Sequence, residues 1–173
     1  YRRATERLIQ TAALDAEHKA LQLKESLLLK NAQDVQDLYD HAPCGYHSLN
    51  SQGMFVGINQ TELDWLGYRK DEVIGKIRFL DLLTPESAEL FHQQFPRFIE
   101  RGIVRDLEFE IRRKDGSLLP VLLSATAIKE PDGRFIASRS TLVDITERRK
   151  ADVALRQSHQ TLEVLVKERT AAL

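Results

Sequence analysis

Side chains able to do chemistry are thinly spread along this chain. The five histidines are His18, His41, His47, His92 and His159, and Cys44 is the single cysteine. The histidines are scattered, and the break at Pro43-Cys44-Gly45 separates His41 from His47, so no one element presents two of them to zinc; a lone cysteine closes no intramolecular disulfide. No Gly-rich phosphate loop or serine elbow occurs. Carboxylates are plentiful, but they fall on helix faces and on outward strand positions. Catalysis within this chain is therefore not expected, and no metal site is expected either. A second set is more suggestive. Tyr46, His47, Asn59, Trp65, Ser138, Arg139 and Ser140 are polar or amphipathic groups near strands and short helices. Buried polar groups need partners, and a small-molecule ligand can supply them. The plainer reading is that alternate strand residues face solvent, above all Arg139 in mid-strand.

The elements that must position these residues are legible from periodicity and punctuation. Three strand-like runs, Val104 to Arg113, Ser117 to Lys129 and Arg134 to Val143, are separated by Asp115-Gly116 and Asp132-Gly133. Asp-Gly tolerates the positive φ of tight hairpins, so the runs form one antiparallel meander. Leu107, Phe109 and Ile111 alternate with Glu108, Glu110 and Arg112, the pattern of an edge strand with one wet face. Pro120 delays regular pairing in the middle run. Upstream, Tyr46 to Leu49 and Met54 to Ile58 read as two further strands around the Ser51-Gln52-Gly53 turn. Asn59 caps a short helix from Gln60 to Leu66, and another helical turn spans Lys70 to Ile74. Phe79 to Leu83 is an apolar patch. Thr84-Pro85-Glu86 opens a longer helix, with Thr84 as its cap, and this helix ends at Gly102. Pro96 should bend or split it.

Residues 1–40 contain no Gly or Pro. Leu14, Leu21, Leu28 and Val35 recur every seven residues, but Glu17, Lys24 and Asn31 occupy the partner positions, so a helix with a weak or irregular seam is expected. At the other end the last strand runs through Asp144-Ile145-Thr146-Glu147-Arg148 into a charged helix over 146–173. In that helix Leu155, His159, Leu162, Val166, Arg169 and Leu173 mark a seam with polar interruptions. Three parts follow: an N-terminal dimerising helix (1–40), a globular part (41–145) and a C-terminal signalling helix (146–173).

Composition narrows the functional classes. Lys+Arg 25 nearly balances Asp+Glu 26 in 173 residues, which gives no basic excess for nucleic acid or a membrane surface. No apolar run approaches the roughly 20 residues that span a bilayer, and no secretion signal follows Tyr1-Arg2-Arg3. A reducing, cytoplasmic setting fits. Without a starting methionine, and stopping inside a helical pattern, the chain reads as a piece of a longer protein.

The ordered set Asp37-Leu38-Tyr39-Asp40, Ala42-Pro43-Cys44-Gly45-Tyr46, Asn59, Leu66-Gly67-Tyr68, Glu72-Val73-Ile74-Gly75-Lys76, Arg113-Lys114-Asp115-Gly116 and Asp144-Ile145-Thr146-Glu147-Arg148 resembles the PAS sensor domain over residues 37–149. The flanking helices look like the linkers of bacterial sensor histidine kinases and cyclases. The resemblance implies an α+β fold with a five-stranded antiparallel sheet, short helices on one face and long helices at both ends. It also implies dimerisation through the N-terminal helix, and a parallel homodimer through the flanking helices would bury the apolar ridges of both. Ser158-His159 is similar to the phosphoacceptor box of histidine kinases, but the immediate acid and the later proline are missing, and His159 reads as a polar seam residue.

The family differs in what it holds. Flavin-binding members carry a cysteine in the stretch that here reads Lys76-Ile77-Arg78-Phe79-Leu80-Asp81, and Leu142 stands in place of their final-strand glutamine, so flavin is not expected. Haem-binding members place a histidine where His92 follows Pro85-Glu86, and an imidazole there can ligate iron. Their oxygen-answering arginine is replaced by Leu107. The expectation is no cofactor, with haem through His92 as an alternative. Tyr46, Asn59, Trp65, Ser138 and Ser140 are the ligand-pocket candidates, and Asp144, Ile145 and Thr146 the relay to an effector domain. The rival to this sensing module is a cofactor-free dimerisation spacer whose interior is filled by its own side chains.

Overall fold

A computed structural model describes residues 2–171. Tyr1 and Leu173, which the sequence assigns to the flanking helices, lie outside the described residues. The chain divides into two units, residues 1–41 and 42–173.

The first unit is one helix, α1 (Arg2–Asp40). Leu14, Leu21, Leu28 and Val35 are exposed on it, and so are Leu23, Leu27 and Leu29. The latter three lie at other angles around a 3.6-residue turn, so the apolar residues encircle the helix instead of forming a single stripe.

In the second unit, strands β1 (Gly45–Leu49), β2 (Phe55–Ile58), β3 (Ile103–Arg112), β4 (Leu118–Lys129) and β5 (Phe135–Asp144) form one antiparallel sheet in the order β2-β1-β5-β4-β3. Strand β3 is an edge, as its alternation requires. The hairpin turns close with Gly116 and Gly133 at φ +85° and +88°, a conformation that costs glycine nothing. Asp115 accepts hydrogen bonds from the Ser117 N–H and hydroxyl at 2.9 and 2.6 Å and so fixes the first turn.

Period-two alternation decides which face is buried. His47 and Leu49 of β1, Phe109 and Ile111 of β3, Leu119, Val121 and Leu123 of β4, and Ser138, Ser140 and Leu142 of β5 all point inward. Helices α2 (Gln60–Leu66), α3 (Lys70–Val73) and α4 (Pro85–Arg101), with a 3-10 turn at Phe79–Leu82, cover that face. Phe79 sits at the centre, with ring centroids 5.1 to 6.1 Å from His47, Phe55, Phe91 and Phe109. Such edge-on and tilted contacts suit aromatic quadrupoles. Helix α5 (Thr146–Ala171) follows β5.

Three local expectations are corrected. Pairing continues straight through Pro120, which lies opposite Glu110. Its carbonyl accepts from the Ile145 N–H at 3.1 Å, so the edge that lacks a donor points past the end of β5 and removes no bond to β3. Pro96 does not split α4, which runs unbroken to Arg101; a proline near the last turn forfeits one bond, to the His92 carbonyl. Thr84 makes no side-chain cap. Its backbone is tied instead to β3 through the Glu110 carbonyl at 3.1 Å, and its hydroxyl is buried without a partner.

Candidate functional site: a polar-ended cavity and the strand that leads to α5

Between the inner face of the sheet and α4 lies a cavity of about 30 Å³. Phe91, Phe95, Phe98 and Phe109 form its apolar wall, and His47, Ser138 and Ser140 form its polar end. These three polar residues arrive by the same logic. They occupy inward positions of neighbouring strands, and β1 pairs with β5 through His47↔Ser140.

His47 is held by a carboxylate. Its Nδ1 lies 2.9 Å from Glu62 Oε1 and 3.2 Å from Oε2, and both side chains are buried, at 0% and 1% exposure. Nε2 has no hydrogen-bond partner among the described residues. Glu62 can approach because residue 45 is glycine: a Cβ there would stand 3.1 Å from Glu62 Oε2 and 3.2 Å from the Leu142 Cβ. Ser138 Oγ accepts the Leu49 N–H at 3.0 Å and shares a hydrogen with Ser140 Oγ at 3.0 Å.

The other residues singled out from sequence lie elsewhere. Asn59 is fully buried but does structural work. Its Oδ1 accepts the Tyr46 and Glu62 N–H groups at 2.9 and 3.1 Å, and its Nδ2 donates to the Cys44 carbonyl at 3.0 Å. It therefore caps α2 and ties that helix to β1. Trp65 packs half-buried against the core and does not line the cavity. Tyr46 points to the opposite face of the sheet from His47, where it borders a trough with Arg139 and Thr141. A side-chain hydrogen bond with Cys44, then the charge of that thiol, raises the Tyr46 phenol above its ordinary value. His92 is exposed on α4 and is absent from the cavity lining.

Pockets that enclose ligands of drug size run to roughly 300–1,000 Å³, an order of magnitude above this cavity. The proposed iron ligand faces solvent, and Leu142 fills the inner face of β5.

Asp144, Ile145 and Thr146, expected to form the relay, make a braced joint. Asp144 Oδ1 accepts from the Thr146 N–H at 2.8 Å and hydroxyl at 2.6 Å. Ile145 is buried, and its carbonyl accepts the first helical bond, from the Arg149 N–H at 2.9 Å. The Arg149 guanidinium donates to Glu110 at 2.9 Å and to Glu108 at 3.0 Å. The Glu108 bond leads in raising that guanidinium above its ordinary value. Sequence reading missed Glu62, whose short helix gives no sign that it turns inward. It also missed Arg149, although the Glu108-x-Glu110 alternation already placed two carboxylates on one face of β3.

Comparison with known proteins decides the family. The PAS domain family model matches residues 43–147. The chain belongs to the PAS domain family. The sheet order and the covering helices are thus those of a sensory fold found in signalling proteins. Solved PAS domains agree in fold. That of an HTR-like protein from Haloarcula marismortui superposes with TM-score 0.58 at 22% identity, covering 72% of this chain and 99% of that one. A domain of a sensory box sensor histidine kinase/response regulator from Geobacter sulfurreducens gives 0.55 at 21% identity, covering 68% and 96%. Curated relatives include the phosphoserine phosphatase RsbP of Bacillus subtilis, 32% identical over 88 residues, which cover 50% of this chain and 21% of that protein. The sensor protein TdiS of Thauera aromatica is 29% identical over 119 residues, covering 69% and 22%. The chain thus spans about a fifth of these relatives. No helix among the described residues is long and apolar enough to cross a membrane.

Proposed function

We propose that this PAS domain is a cytoplasmic regulatory module that forms a homodimer through its flanking helices and relays a cue along α5 to an effector domain, such as a histidine kinase, in the same polypeptide. One observation carries the reading. Strand β5, whose inward Ser138 and Ser140 line the cavity, is the strand that continues into α5 through the Asp144–Thr146 joint. A change at the polar end that shifts β5 has no slack to absorb it before Arg149. Relay is then a two-state shift in the angle or register of the helix. His159 and Arg169, polar residues at the α5 seam, keep that pairing adjustable, because seam polarity trades stability for register control. Insertion of two residues after Thr146 in the full-length protein tests this. The PAS fold should persist while effector output stops responding to the cue; unchanged regulation would contradict it.

A second reading has its own support. The cavity is small and Phe79 is packed by aromatic rings on several sides, as in a module that only spaces or couples its neighbours. The two readings part at the polar end of the cavity.

A further inference from the structure

Most of the interior is satisfied, so an inward polar atom without a partner stands out. His47 Nε2 is such an atom, in a ring that is itself 2% exposed and that lines the cavity. A carboxylate only accepts, so the Glu62 contact places the proton of a neutral ring on Nδ1 and leaves the lone pair on Nε2. Beside it, Ser138 and Ser140 spend one hydroxyl hydrogen between them. Two hydroxyls have two hydrogens, so one O–H remains to be donated. The polar end therefore carries one unspent acceptor and one unspent donor, in a cavity otherwise lined by phenylalanine and aliphatic side chains and by Gln94 of α4.

We propose that His47 Nε2 and the Ser138–Ser140 pair form a subsite for a hydroxyl group, either water or the hydroxyl of a small ligand with an apolar body. A hydroxyl donates to Nε2 and accepts from the serine at once. A carboxylate or ketone would set its lone pairs against that of Nε2, and a hydrocarbon would leave both protein groups unsatisfied. About 30 Å³ exceeds the roughly 10–15 Å³ a water needs. A larger body must displace Phe91 and Phe95, which are half-buried and stacked at 4.8 Å. Glu62 is a positioning residue: it touches no ligand, but it fixes the tautomer and the tilt of the ring, as carboxylates behind ligating histidines do. The subsite names a ligand chemistry for the sensing module and rests on that reading for its biological use, not for its existence.

The test is NMR on the 173-residue chain, with the His47 ring nitrogens observed directly and phenol and benzene as probes. Phenol should bind about tenfold or more tighter than benzene and move the Nε2 resonance; the Ser138→Ala/Ser140→Ala double variant should weaken phenol by about three- to tenfold, as loss of one hydrogen bond does. If phenol does not bind, a long-lived water showing cross-relaxation to the His47 ring identifies water as the occupant and supports the subsite. Should the double variant fail to fold, the Nε2 response in the unaltered chain decides. Benzene binding as tightly as phenol, phenol binding with Nε2 unmoved, or neither phenol nor water at His47 would overturn the proposal. Phenol binding at Nε2 with no change in effector output of the full-length protein would instead remove the regulatory reading and leave the subsite standing.

Discussion

Two buried side chains, Glu62 and Asn59, set the local terms of this fold, and each is a partner that cannot be withdrawn cheaply. Glu62→Ala leaves the buried His47 Nδ1–H without an acceptor and opens space beside it. It should cost about 1–3 kcal/mol in denaturant unfolding, the scale of leaving a buried donor unsatisfied. Asn59→Ala removes three hydrogen bonds, among them the α2 cap, and should cost about 2 kcal/mol. Asn59 was legible as a cap because Asn before an apolar helical run is a standard start signal. Its buried link to β1 was not, because that contact depends on a strand pairing no local pattern specifies. Acid should weaken the fold in a defined window. Hydrogen bonds from Arg78 hold the Asp81 carboxyl below its ordinary 3.8, and the Arg69 N–H, then Lys114, hold Glu72 below 4.5. A lowered folded value means the contribution is complete above the ordinary value and is lost as pH falls through the folded one. Urea midpoints should therefore fall as pH drops below about 4.5, with a shallower acid limb in Asp81→Asn.

At the level of elements, strands and hairpins were readable because Asp-Gly turns and period-two alternation are local signals. The exceptions have non-local causes. Pro120 is tolerated because its missing donor points beyond the end of β5, and Thr84 fails as a cap because β3 holds its backbone. Pro96 remains in α4 at the cost of one helical bond, so Pro96→Ala should stabilise the domain by about 1 kcal/mol or more, read as a raised melting temperature. The start of α5 is braced by exposed and half-exposed groups. Arg149→Ala should therefore cost under about 1 kcal/mol of global stability while amide exchange in the first turns of α5 quickens. A loss of several kcal/mol would mean that the clamp carries the fold and does not merely hold the helix start.

For the whole molecule, the family and the sheet were legible in a chain-long order of short motifs, and the cavity was not. Its volume is the residue left by packing many side chains, which no spacing rule encodes, and whether an inward serine meets a ligand or a neighbour is settled only by the opposite wall. The apolar residues that encircle α1 are exposed, and burying them against a partner is how helices gain most of their stability in proteins. Sedimentation should give a dimer for the 173-residue chain and a lighter species once residues 1–36 are removed; equal monomeric masses would refute dimerisation through α1. Coupling between β5 and α5 is the claim on which the regulatory account stands, and native-state hydrogen exchange on Leu142→Val tests it most directly. Leu142 is fully buried in β5 three residues before Ile145, so the variant loosens the strand without touching the joint. Amides of β5 and of Arg149 and its neighbours should speed up by the same factor while those of α2 stay near their original rates. Faster exchange in β5 with the first turns of α5 unchanged would contradict the coupling.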